Sequence, residues 1–295
     1  MQYRFERSHI RLFSRVTEWR TLGDMRIARF SYNDVPQYAF VQKDEGDGKD
    51  YLVALDGYPF GSRPVSPSGE RYPIDGEGIR LLAPVLPSKV FGLAKNYEAH
   101  AQYMHAKGQS DVTHAPAKMM IFTKPSTSVI GPDDPIVMPS FSNDMNFEPE
   151  VAVVIGRIAK NVPVERAMDY VLGFTCVNDV TLRDLQGDDP MWTRAKGFDT
   201  SCPLGPWIET DLNWRDAKIS FSKNGEDVPE ASGTTAGLIH SIPEQIAEIS
   251  TFSTLLPGDV IMTGTPNASG SLEPRDEAVV TIEGIGSLRN VVVQG

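Results

Sequence analysis

Short apolar and alternating segments, separated by turn residues, predict a chain built mostly from β-strands. The predicted strands are residues 26–30, 38–42, 51–55, 90–93, 119–123, 136–138, 148–155, 172–178, 260–262, 278–282 and 289–293. Residues 43–50 are rich in Asp, Gly and Lys, which is typical of a solvated hairpin tip. Residues 56–80 are rich in glycine, proline and charge, so we expect a loop-like connection there.

Helical spacing of apolar residues is confined to a few segments. We predict short helices at 98–107, at 164–170 after a proline, and at 243–252, where apolar residues recur at helical spacing. The predicted fold class is therefore α+β and β-rich. No Gly-x-Gly-x-x-Gly motif follows a strand and no phosphate-binding loop motif occurs, so nothing in the sequence supports nucleotide binding.

Prolines at positions 84 and 87 indicate a boundary between two structural units. We predict a small N-terminal β-rich domain at 25–85 and a catalytic domain at 86–295. Residues 1–24 carry five arginines and have apolar residues about every three positions. We interpret them as an N-terminal extension that packs on the surface or on a partner subunit.

Overall charge excludes one class of partner. The chain has 28 basic and 39 acidic residues and a net charge of −11, which is poorly suited to binding nucleic acid. No apolar run approaches the roughly 18 residues of a membrane span, and the first thirty residues show no secretory apolar region. Cys176 and Cys202 have no pairing motif and are expected to be free thiols. These features predict a cytoplasmic protein with no membrane or nucleic-acid partner.

Two carboxylates lie at the start of the predicted strand 148–155. Glu148 and Glu150 flank Pro149, and the alternation of side chains along a strand directs both to the same side. Pro149 cannot donate a ladder hydrogen bond, which suits a strand end. Two adjacent carboxylates raise the pKa of one of them unless a cation compensates. Taken alone, the pair is also compatible with two solvated carboxylates at a strand end.

A third acid strengthens the case for a metal site. Asp179 follows the predicted strand 172–178, and three carboxylates from two strand ends suit Mg²⁺ or Mn²⁺. Zinc is disfavoured because no histidine or cysteine has ligand spacing. Arg183 and Gln186 would converge with Asp179 on an anionic ligand if this segment turns helical. The alternative for Arg183 is an exposed ion pair with Asp184.

Six motifs occur in a fixed order along the chain. They are Asn96-Tyr97-x-x-His100, Phe122-x-Lys124-Pro125, Glu148-x-Glu150, Asn178-Asp179-x-Thr181-x-Arg183-Asp184-x-Gln186, Trp192-x-x-x-Lys196-x-Phe198-Asp199 and Thr263-Gly264-Thr265-Pro266. From residue 89 to the C-terminus this order resembles the fumarylacetoacetate hydrolase family. The resemblance implies a mixed β-sandwich roll for the catalytic domain and a homodimeric assembly.

The resemblance also implies roles for individual residues. Glu148, Glu150 and Asp179 would bind Mg²⁺ or Mn²⁺. The groups that would hold the pyruvyl end of a small 2-oxo acid substrate are Arg183, Gln186, Lys196, Gly264 and Thr265. Lys196 would also be catalytic, because its positive charge would stabilise an enolate oxygen. His100 would be the general base on a mobile lid formed by residues 96–118, since the pKa of histidine lies near the working pH.

One position departs from the family pattern. Many relatives carry a glutamate three residues after the lid histidine, whereas this chain has Tyr103 there. Either Glu98 takes the place of that glutamate, or His100 acts without a carboxylate partner. The difference matters because C–C bond hydrolysis needs an activated water molecule, whereas decarboxylation does not. His114 and His240 are interpreted as structural or surface residues.

The sequence therefore favours a hydrolase acting on carbon–carbon bonds in ketonic substances. We expect cleavage of an acylpyruvate such as fumarylpyruvate to pyruvate and a carboxylic acid, in the catabolism of aromatic compounds. Oxaloacetate decarboxylation, and isomerisation or hydration of unsaturated 2-oxo diacids, are alternatives on the same fold. A carboxylate-binding module without catalysis is a different class. The difference at Tyr103 supports that class, but the retained acids, Lys196 and His100 argue against it.

Overall fold

The computed structural model describes residues 25–61, 65–111 and 113–295. The predicted extension at 1–24 lies outside the described residues. The strand-rich α+β class is confirmed, because strands greatly outnumber helices and form three sheets. In the part of the chain that the structure describes, no helix is both long enough and apolar enough to cross a membrane.

The strands, in chain order, are β1 (Arg26–Tyr32), β2 (Val35–Lys43), β3 (Asp50–Asp56), β4 (Ser66–Pro73), β5 (Ile79–Leu82), β6 (Val90–Ala94), β7 (Met120–Lys124), β8 (Val129–Ile130), β9 (Ile136–Met138), β10 (Met145–Phe147), β11 (Pro149–Ile155), β12 (Val171–Asn178), β13 (Thr181–Leu182), β14 (Cys202–Glu209), β15 (Lys218–Lys223), β16 (Glu226–Asp227), β17 (Gly233–Thr234), β18 (Val260–Met262), β19 (Gly270–Ser271), β20 (Glu277–Ile282) and β21 (Gly286–Gln294). Every strand predicted from the sequence overlaps one of these.

The α-helices are α1 (Glu98–Ala106), α2 (Arg183–Gln186), α3 (Thr193–Lys196) and α4 (Ile242–Phe252). α4 begins with a capping box, in which the Ser241 side chain and the Glu244 side chain each bind the other residue's backbone amide. The helix predicted at 164–170 is a 3₁₀-helix, Val164–Tyr170, and Pro163 precedes it as the cap residue. Shorter 3₁₀ turns lie at Ser126–Ser128, Pro229–Ala231 and Thr235–Gly237.

The prediction of a loop at 56–80 is wrong, because β4 and the start of β5 lie within this range. β4 is an edge strand whose side chains are mostly exposed, so its sequence lacks the apolar alternation that marks a strand. β14 and β15 were not predicted either. β14 contains Pro203 and Pro206, and prolines are normally excluded from the interior of a sheet. The pairing of β14 with β12 is irregular around Pro206, and Pro203 lies opposite Ile130 of the short strand β8.

The largest sheet has twelve strands in the order β4-β3-β2-β1-β14-β12-β11-β18-β6-β7, with β5 on β1 and β8 beside β14. β1 pairs with β14, with Ile27 opposite Ile208, so the N-terminal strands continue the sheet that the later strands form. A six-stranded sheet has the order β16-β15-β20-β21-β9, with β17 on β15, and a small sheet has the order β13-β10-β19.

β11 is the central strand, and all of its residues are buried. Val151 and Val153 contribute to a core that includes residues of β15, β20 and α4. Ala152 and Val154 contribute to a second core, which includes residues of β6, β14 and β18. Because both faces of β11 are covered, its sequence is a continuous apolar run. Glu150 is two residues before Ala152 and therefore lies on that second face.

Candidate functional site

Four strands of the largest sheet end or begin at one place. β11 begins there, its antiparallel neighbours β12 and β18 end there, and β6 ends there in parallel with β18. Pro149 of β11 pairs with Asn178 of β12, so the residues just beyond this pair lie side by side. The segments that continue from these ends carry the polar residues of the site: 95–100, 148–150, 179–186 and 263–265.

Three buried carboxylates form the centre of the site. One oxygen from each of Glu148, Glu150 and Asp179 lies within 4.8 Å of the other two. The Asp179 amide donates to the Glu148 carbonyl oxygen at 2.8 Å, and the Glu148 amide donates to Oδ1 of Asn178 at 2.9 Å. These bonds hold the two strand ends together. The three acids are brought together as the strand-end pattern predicted.

Lys196 and Arg183 both contact the carboxylates directly. Nζ of Lys196 lies 2.7 Å from Oε2 of Glu148 and 2.5 Å from Oδ2 of Asp179. Arg183 pairs with Glu148 through Nη2 and is itself buried. The alternative of an exposed pair between Arg183 and Asp184 is therefore wrong. Asp184 instead accepts hydrogen bonds from the Ser142 hydroxyl and a backbone amide.

Burial and neighbouring charges shift the pKa values of these groups in different directions. Burial raises the pKa of Glu150 well above its ordinary value, and the charges of Asp179 and Glu148 raise it further. Burial also raises the pKa of Glu148, but Arg183 and Lys196 outweigh it and hold that pKa well below its usual range. For Lys196, burial lowers the pKa, yet Asp179 and Glu148 more than compensate, so the ammonium form is favoured.

Lys124 is a third cation at this centre, and it is almost fully buried. Its Nζ lies 2.9 Å from Oδ1 of Asp179. It donates to the carbonyl oxygens of Val180 at 3.1 Å and Ser201 at 2.8 Å, and also to that of Lys196. One ammonium group thus ties Asp179 to the segment that carries Lys196.

The residues present fit a divalent metal ion. Oγ1 of Thr265 is buried and makes no hydrogen bond to any described residue, and Oδ1 of Asp179 has only the Lys124 ammonium group beside it. A buried oxygen without a partner, such as that of Thr265, is uncommon in protein interiors and indicates a missing partner. All candidate ligands are oxygens, which suits Mg²⁺ or Mn²⁺. A bound cation would also offset the mutual repulsion that raises the pKa of Glu150.

Groups suited to a carboxylate ligand lie beside the acids. The short helix α2 follows Asp179 as the sequence suggested, and Nη1 of Arg183 donates to Oε1 of Gln186 at 2.7 Å. Nη2 of Arg183 donates to the Ser269 hydroxyl at 2.9 Å. Thr265 lines the same cavity as Arg183 and Gln186. The structure brings these residues together, and their role in substrate binding stays a prediction.

Gly264 adopts a backbone conformation with φ of 104°, which favours glycine. Its amide donates to Oε2 of Glu150 at 2.6 Å. A Cβ at this position would lie 3.0 Å from Cβ of Asn96. Gly264 therefore orients one of the three acids through its backbone, while a direct contact with substrate stays a prediction.

His100 lies on α1 and is buried over the carboxylates. Its Nδ1 is 2.6 Å from the carbonyl oxygen of Asn267, and a carbonyl can only accept, so Nδ1 carries the proton. Nε2 is then free of a proton and lies 4.0 Å from Oε1 of Glu148. Burial lowers the pKa of His100 to about 4, and the positive charges of Arg183 and Lys196 add to that effect. The imidazole is neutral at neutral pH.

Neither Glu98 nor the residue at position 103 supplies a carboxylate to His100 in the structure. Glu98 accepts hydrogen bonds from Nδ1 of His114 at 2.6 Å and from the Ala115 amide at 3.0 Å, so it serves the lid loop. The Tyr103 hydroxyl donates to the carbonyl oxygen of Ser269 at 2.6 Å. Of the two possibilities drawn from the sequence, His100 without Glu98 as its partner is the one observed, and the carboxylate that it does approach is Glu148, 4.0 Å from Nε2. The backbone carbonyl of Asn267 orients the imidazole instead. Because every residue has a backbone carbonyl, this contact cannot be recognised in the sequence.

Comparisons with known proteins identify the same family that the order of the motifs indicated. The family described as "Fumarylacetoacetate (FAA) hydrolase C-terminal" matches residues 89–293. The chain belongs to the fumarylacetoacetate hydrolase family. A second family, described as "Rv2993c-like, N-terminal", matches residues 25–84.

Two curated relatives of this fumarylacetoacetate hydrolase family member are described here, and the second is an enzyme by name. The chain is 42% identical over 274 residues to "Protein Rv2993c" of Mycobacterium tuberculosis, covering 92% of this chain and 98% of the relative. It is 37% identical over 227 residues to "Oxaloacetate tautomerase Fahd2a, mitochondrial" of Rattus norvegicus, covering 73% of this chain and 70% of the relative.

Solved structures of family members show the same fold. A "5-carboxymethyl-2-hydroxymuconate delta-isomerase" from Mycobacterium smegmatis matches with a TM-score of 0.81 and 40% identity, over 92% of this chain and all of the other. A "fumarylpyruvate hydrolase" from Pseudomonas aeruginosa, in complex with Mn²⁺ and pyruvate, matches with a TM-score of 0.65 and 28% identity, over 77% and 93% of the two chains.

Four cavity residues of this family member lie outside the six sequence motifs, namely Leu93, Ala94, Lys95 and Met104, and Trp192 of the fifth motif lines the cavity as well. Lys95 and Trp192 have positive φ angles of 54° and 56°, which are uncommon for residues other than glycine. Backbone strain of this kind clusters at functional sites. It depends on the folded surroundings, so the sequence around these residues did not reveal it.

Proposed function

We propose that this family member is a divalent-metal-dependent enzyme that transfers a proton at the carbon next to the carbonyl of a small 2-oxo acid. Keto–enol tautomerisation and double-bond isomerisation are both reactions of this class. The observation that carries the proposal is the arrangement of His100 over the three acids. Its unprotonated Nε2 faces the site, while Nδ1–H is fixed by the Asn267 carbonyl.

Glu148, Glu150 and Asp179 would hold Mg²⁺ or Mn²⁺, which acts as a Lewis acid on the 2-oxo carbonyl when it is bound. Lys196 supplies a fixed positive charge at the same place, and its ammonium form is favoured by its neighbours. A preorganised cation stabilises negative charge as it develops on the enolate oxygen. Arg183, Gln186 and Thr265 would bind the substrate carboxylate.

His100 would move the proton. Because its pKa is lowered to about 4, the imidazole is in the basic form at neutral pH and does not retain the proton that it accepts. It would return that proton to another atom of the same substrate. Burial of His100 at 5% exposure limits exchange of the proton with bulk water.

The names of the relatives support this reaction class. A relative 37% identical is named an oxaloacetate tautomerase, and a structure 40% identical is titled a delta-isomerase. Both names describe redistribution of a proton and a double bond within one molecule.

Hydrolysis of an acylpyruvate such as fumarylpyruvate, in aromatic-compound catabolism, is the second candidate. It is supported by the structure titled a fumarylpyruvate hydrolase and by the position of His100, which could activate water. We rank it second because the carboxylate partner of the lid histidine is replaced, with Tyr103 bound to a backbone carbonyl instead. Oxaloacetate decarboxylation needs no base and is the third reaction to test.

The assembly and location stay proposals of the same kind. We propose a cytoplasmic homodimer with no nucleic-acid or membrane partner, and a functional division into a small domain at 25–85 and a catalytic domain at 86–295. The extent of the matches to the two families, 25–84 and 89–293, supports that division.

One experiment separates the three reactions. Purified protein with Mn²⁺ is given oxaloacetate, and the decay of enol absorbance is followed together with pyruvate release. Fumarylpyruvate is tested in parallel, and Mn²⁺ without protein is the blank. Enol decay above the blank without pyruvate release supports proton transfer, and pyruvate from fumarylpyruvate supports hydrolysis. Absence of any reaction with these substrates, and with an unsaturated 2-oxo diacid, would refute the proposed function.

A further inference from the structure

One strand holds Lys196 from two sides. β7 carries Phe122 and Lys124 two positions apart, so both side chains lie on the same face of the strand. Nζ of Lys124 donates to the carbonyl oxygen of Lys196. The ammonium group of Lys196 lies over the ring of Phe122, 4.8 Å from the ring centroid. The backbone and the charged end of Lys196 therefore each contact β7, the first through a hydrogen bond and the second through an aromatic face.

The ring of Phe122 is tightly confined in that position. Gly92 of β6 lies opposite Phe122 of β7, and a Cβ at position 92 would lie only 2.2 Å from Cζ of Phe122. The ring thus occupies the space that a side chain on β6 would fill. Trp192 packs against the same ring in an edge-to-face arrangement, with the ring centroids 5.9 Å apart. Phe122 therefore presents a fixed aromatic face to Lys196.

The contact between Lys196 and Phe122 differs in kind from the ion pairs of the same lysine. A cation over an aromatic face is attracted by the quadrupole of the ring, and the attraction is larger when both groups are buried, as they are here. Among the described residues, the groups that hydrogen-bond to this ammonium group are Glu148 and Asp179, and both are candidate metal ligands. Mg²⁺ and Mn²⁺ take oxygen ligands, so metal binding would draw on the two carboxylates but not on the ring.

We propose that Phe122 is a positioning residue for the reaction, whose ring keeps the ammonium group of Lys196 in place when the carboxylates are engaged with metal. The inference rests on the proposed function, in which Lys196 stabilises the enolate oxygen. A lysine side chain has many rotamers, and a fixed aromatic face disfavours those that turn the ammonium group away. An aliphatic side chain at position 122 could fill much of the same space, but it would offer no quadrupole to the cation.

Phe122→Leu removes the ring, and Phe91→Leu is its matched control. Phe91 precedes Gly92 on β6, is buried like Phe122, and has an edge-to-face partner of its own in Phe252, with the ring centroids 6.0 Å apart. In the part of the chain that the structure describes, no cation lies over the ring of Phe91.

Phe122→Leu should lower kcat for tautomerisation about 10- to 30-fold, the size of a buried cation–π contact, and should change KM less than about threefold. Phe91→Leu should lose stability but keep the wild-type kcat per folded molecule. Equal losses of kcat in the two variants would overturn the inference.

A second pair of variants separates space filling from the contact with the cation. Gly92→Ala should displace the ring of Phe122, because the new methyl group would overlap it, and should lower both the melting temperature and kcat. Adding Phe122→Leu to Gly92→Ala should raise the melting temperature again, since the smaller side chain leaves room for the methyl group. The double variant should still have a low kcat, because the ring is absent. Recovery of kcat together with the melting temperature would overturn the inference and show that Phe122 only fills space.

The contact itself can be measured without turnover, by NMR of protein labelled with ¹³C at Cε of lysine. Protons over the face of an aromatic ring resonate upfield. The ε-methylene signal of Lys196, assigned by its loss in Lys196→Met, should therefore lie upfield of the ordinary lysine range in both metal-free and Mg²⁺-loaded wild type. It should return to that range in Phe122→Leu and stay upfield in Phe91→Leu.

A Lys196 signal in the ordinary range in the Mg²⁺-loaded wild type would overturn the inference, and the proposed reaction would stand if that protein still converts 2-oxo acids. An upfield signal in a wild type that converts no 2-oxo acid would refute the proposed function, and with it the positioning role, although the contact between Phe122 and Lys196 persists.

Discussion

Nδ1 of His100 lies 2.6 Å from the carbonyl oxygen of Asn267, and this contact decides which nitrogen of the imidazole is basic. A carbonyl oxygen accepts one hydrogen bond from Nδ1–H and leaves the lone pair of Nε2 directed into the site. A glutamate at the same place would add negative charge and raise the pKa of the imidazole. The carbonyl orients the ring with much less effect on its charge, which suits reversible proton transfer.

Replacing His100 should separate proton transfer from decarboxylation. His100→Gln is expected to lower the rate of tautomerisation about 10²- to 10⁴-fold, the usual contribution of a positioned general base. Decarboxylation of oxaloacetate, if present in the wild type, should be nearly unchanged because it needs no base on the lid. Both rates can be measured on one sample, from enol absorbance and from pyruvate release. An equal decrease in both rates would show that His100 positions substrate or lid.

The lowered pKa of His100 also predicts a dependence of stability on pH. The ordinary pKa is 6.5 and that in the folded protein is about 4, so between these values the unfolded chain binds the extra proton. The contribution of the neutral imidazole is complete above pH 6.5 and is lost as the pH falls towards 4.

This contribution is measured as the difference in free energy of unfolding between the wild type and His100→Gln, in urea with a chelator present. As the pH falls from 7.5 to 5, the free energy of unfolding of the wild type should decrease relative to that of His100→Gln. A difference that is constant over this range would contradict the shifted pKa.

Lys196 should affect both activity and metal-free stability. Lys196→Met removes a cation from two buried carboxylates, and breaking such a contact costs about 3–5 kcal/mol in the absence of metal. Mn²⁺ should restore most of the lost stability, because it offsets the same charges. Activity should remain about 10²- to 10³-fold lower even with Mn²⁺. Thermal unfolding with and without Mn²⁺ tests the expected effects on stability. If Mn²⁺ does not stabilise Lys196→Met, the lysine and the metal ion do not act on the same carboxylates.

Removal of the metal should abolish activity and lower stability. A ligand at one hundred times its Kd stabilises the folded state by about 2.7 kcal/mol, so Mn²⁺ should raise the melting temperature of the wild type measurably. Asp179→Asn should lose this effect. Asp184→Asn is a matched control, because Asp184 is an exposed carboxylate in the same segment and is bound to Ser142 rather than to the three acids. Full turnover after chelation would exclude the proposed metal dependence.

Tyr103 should hold the lid helix against the rest of the site. Its hydroxyl donates to the Ser269 carbonyl oxygen, and the Ser269 hydroxyl accepts from Arg183. Tyr103→Phe removes one hydrogen bond and is expected to cost about 0.5–1.5 kcal/mol, with a rise in KM greater than the fall in kcat. Tyr103→Glu should be more harmful, because a carboxylate would face the carbonyl oxygen of Ser269. Wild-type kinetics for Tyr103→Glu would show that this contact does not position the lid.

The parts of the molecule that the sequence predicted are those determined by local pattern. Glu148, Glu150 and Asp179 follow from apolar strands that end in carboxylates, and the buried strand β11 follows from its apolar run. Lys196 and His100 depended on the resemblance to the family, and Arg183 stayed open between an anion-binding role and an exposed ion pair, because a charged residue alone does not show whether it is buried. The structure buries all three.

Other features could not be predicted because they arise only in the folded chain. The Asn267 carbonyl that orients His100 is a backbone group, and every residue has one. Lys95 has a left-handed backbone conformation. The next residue, Asn96, is held by a hydrogen bond from its side chain to the carbonyl oxygen of Thr263, more than a hundred positions away in the sequence. β4 is polar because it lies at a sheet edge, and only the pairing with β3 makes it a strand.

With a divalent metal ion bound, the site would contain two kinds of positive charge, the metal ion and the ammonium group of Lys124. Only the metal ion could be removed. The ammonium group of Lys124, surrounded by carbonyl oxygens and Asp179, resembles a monovalent ion that is covalently attached to the chain. A chelator can extract a divalent ion but cannot extract this one. The loop geometry that presents Asp179 and Lys196 should therefore survive demetallation, so a stripped enzyme would need only to recapture its ion, without refolding, to become active again.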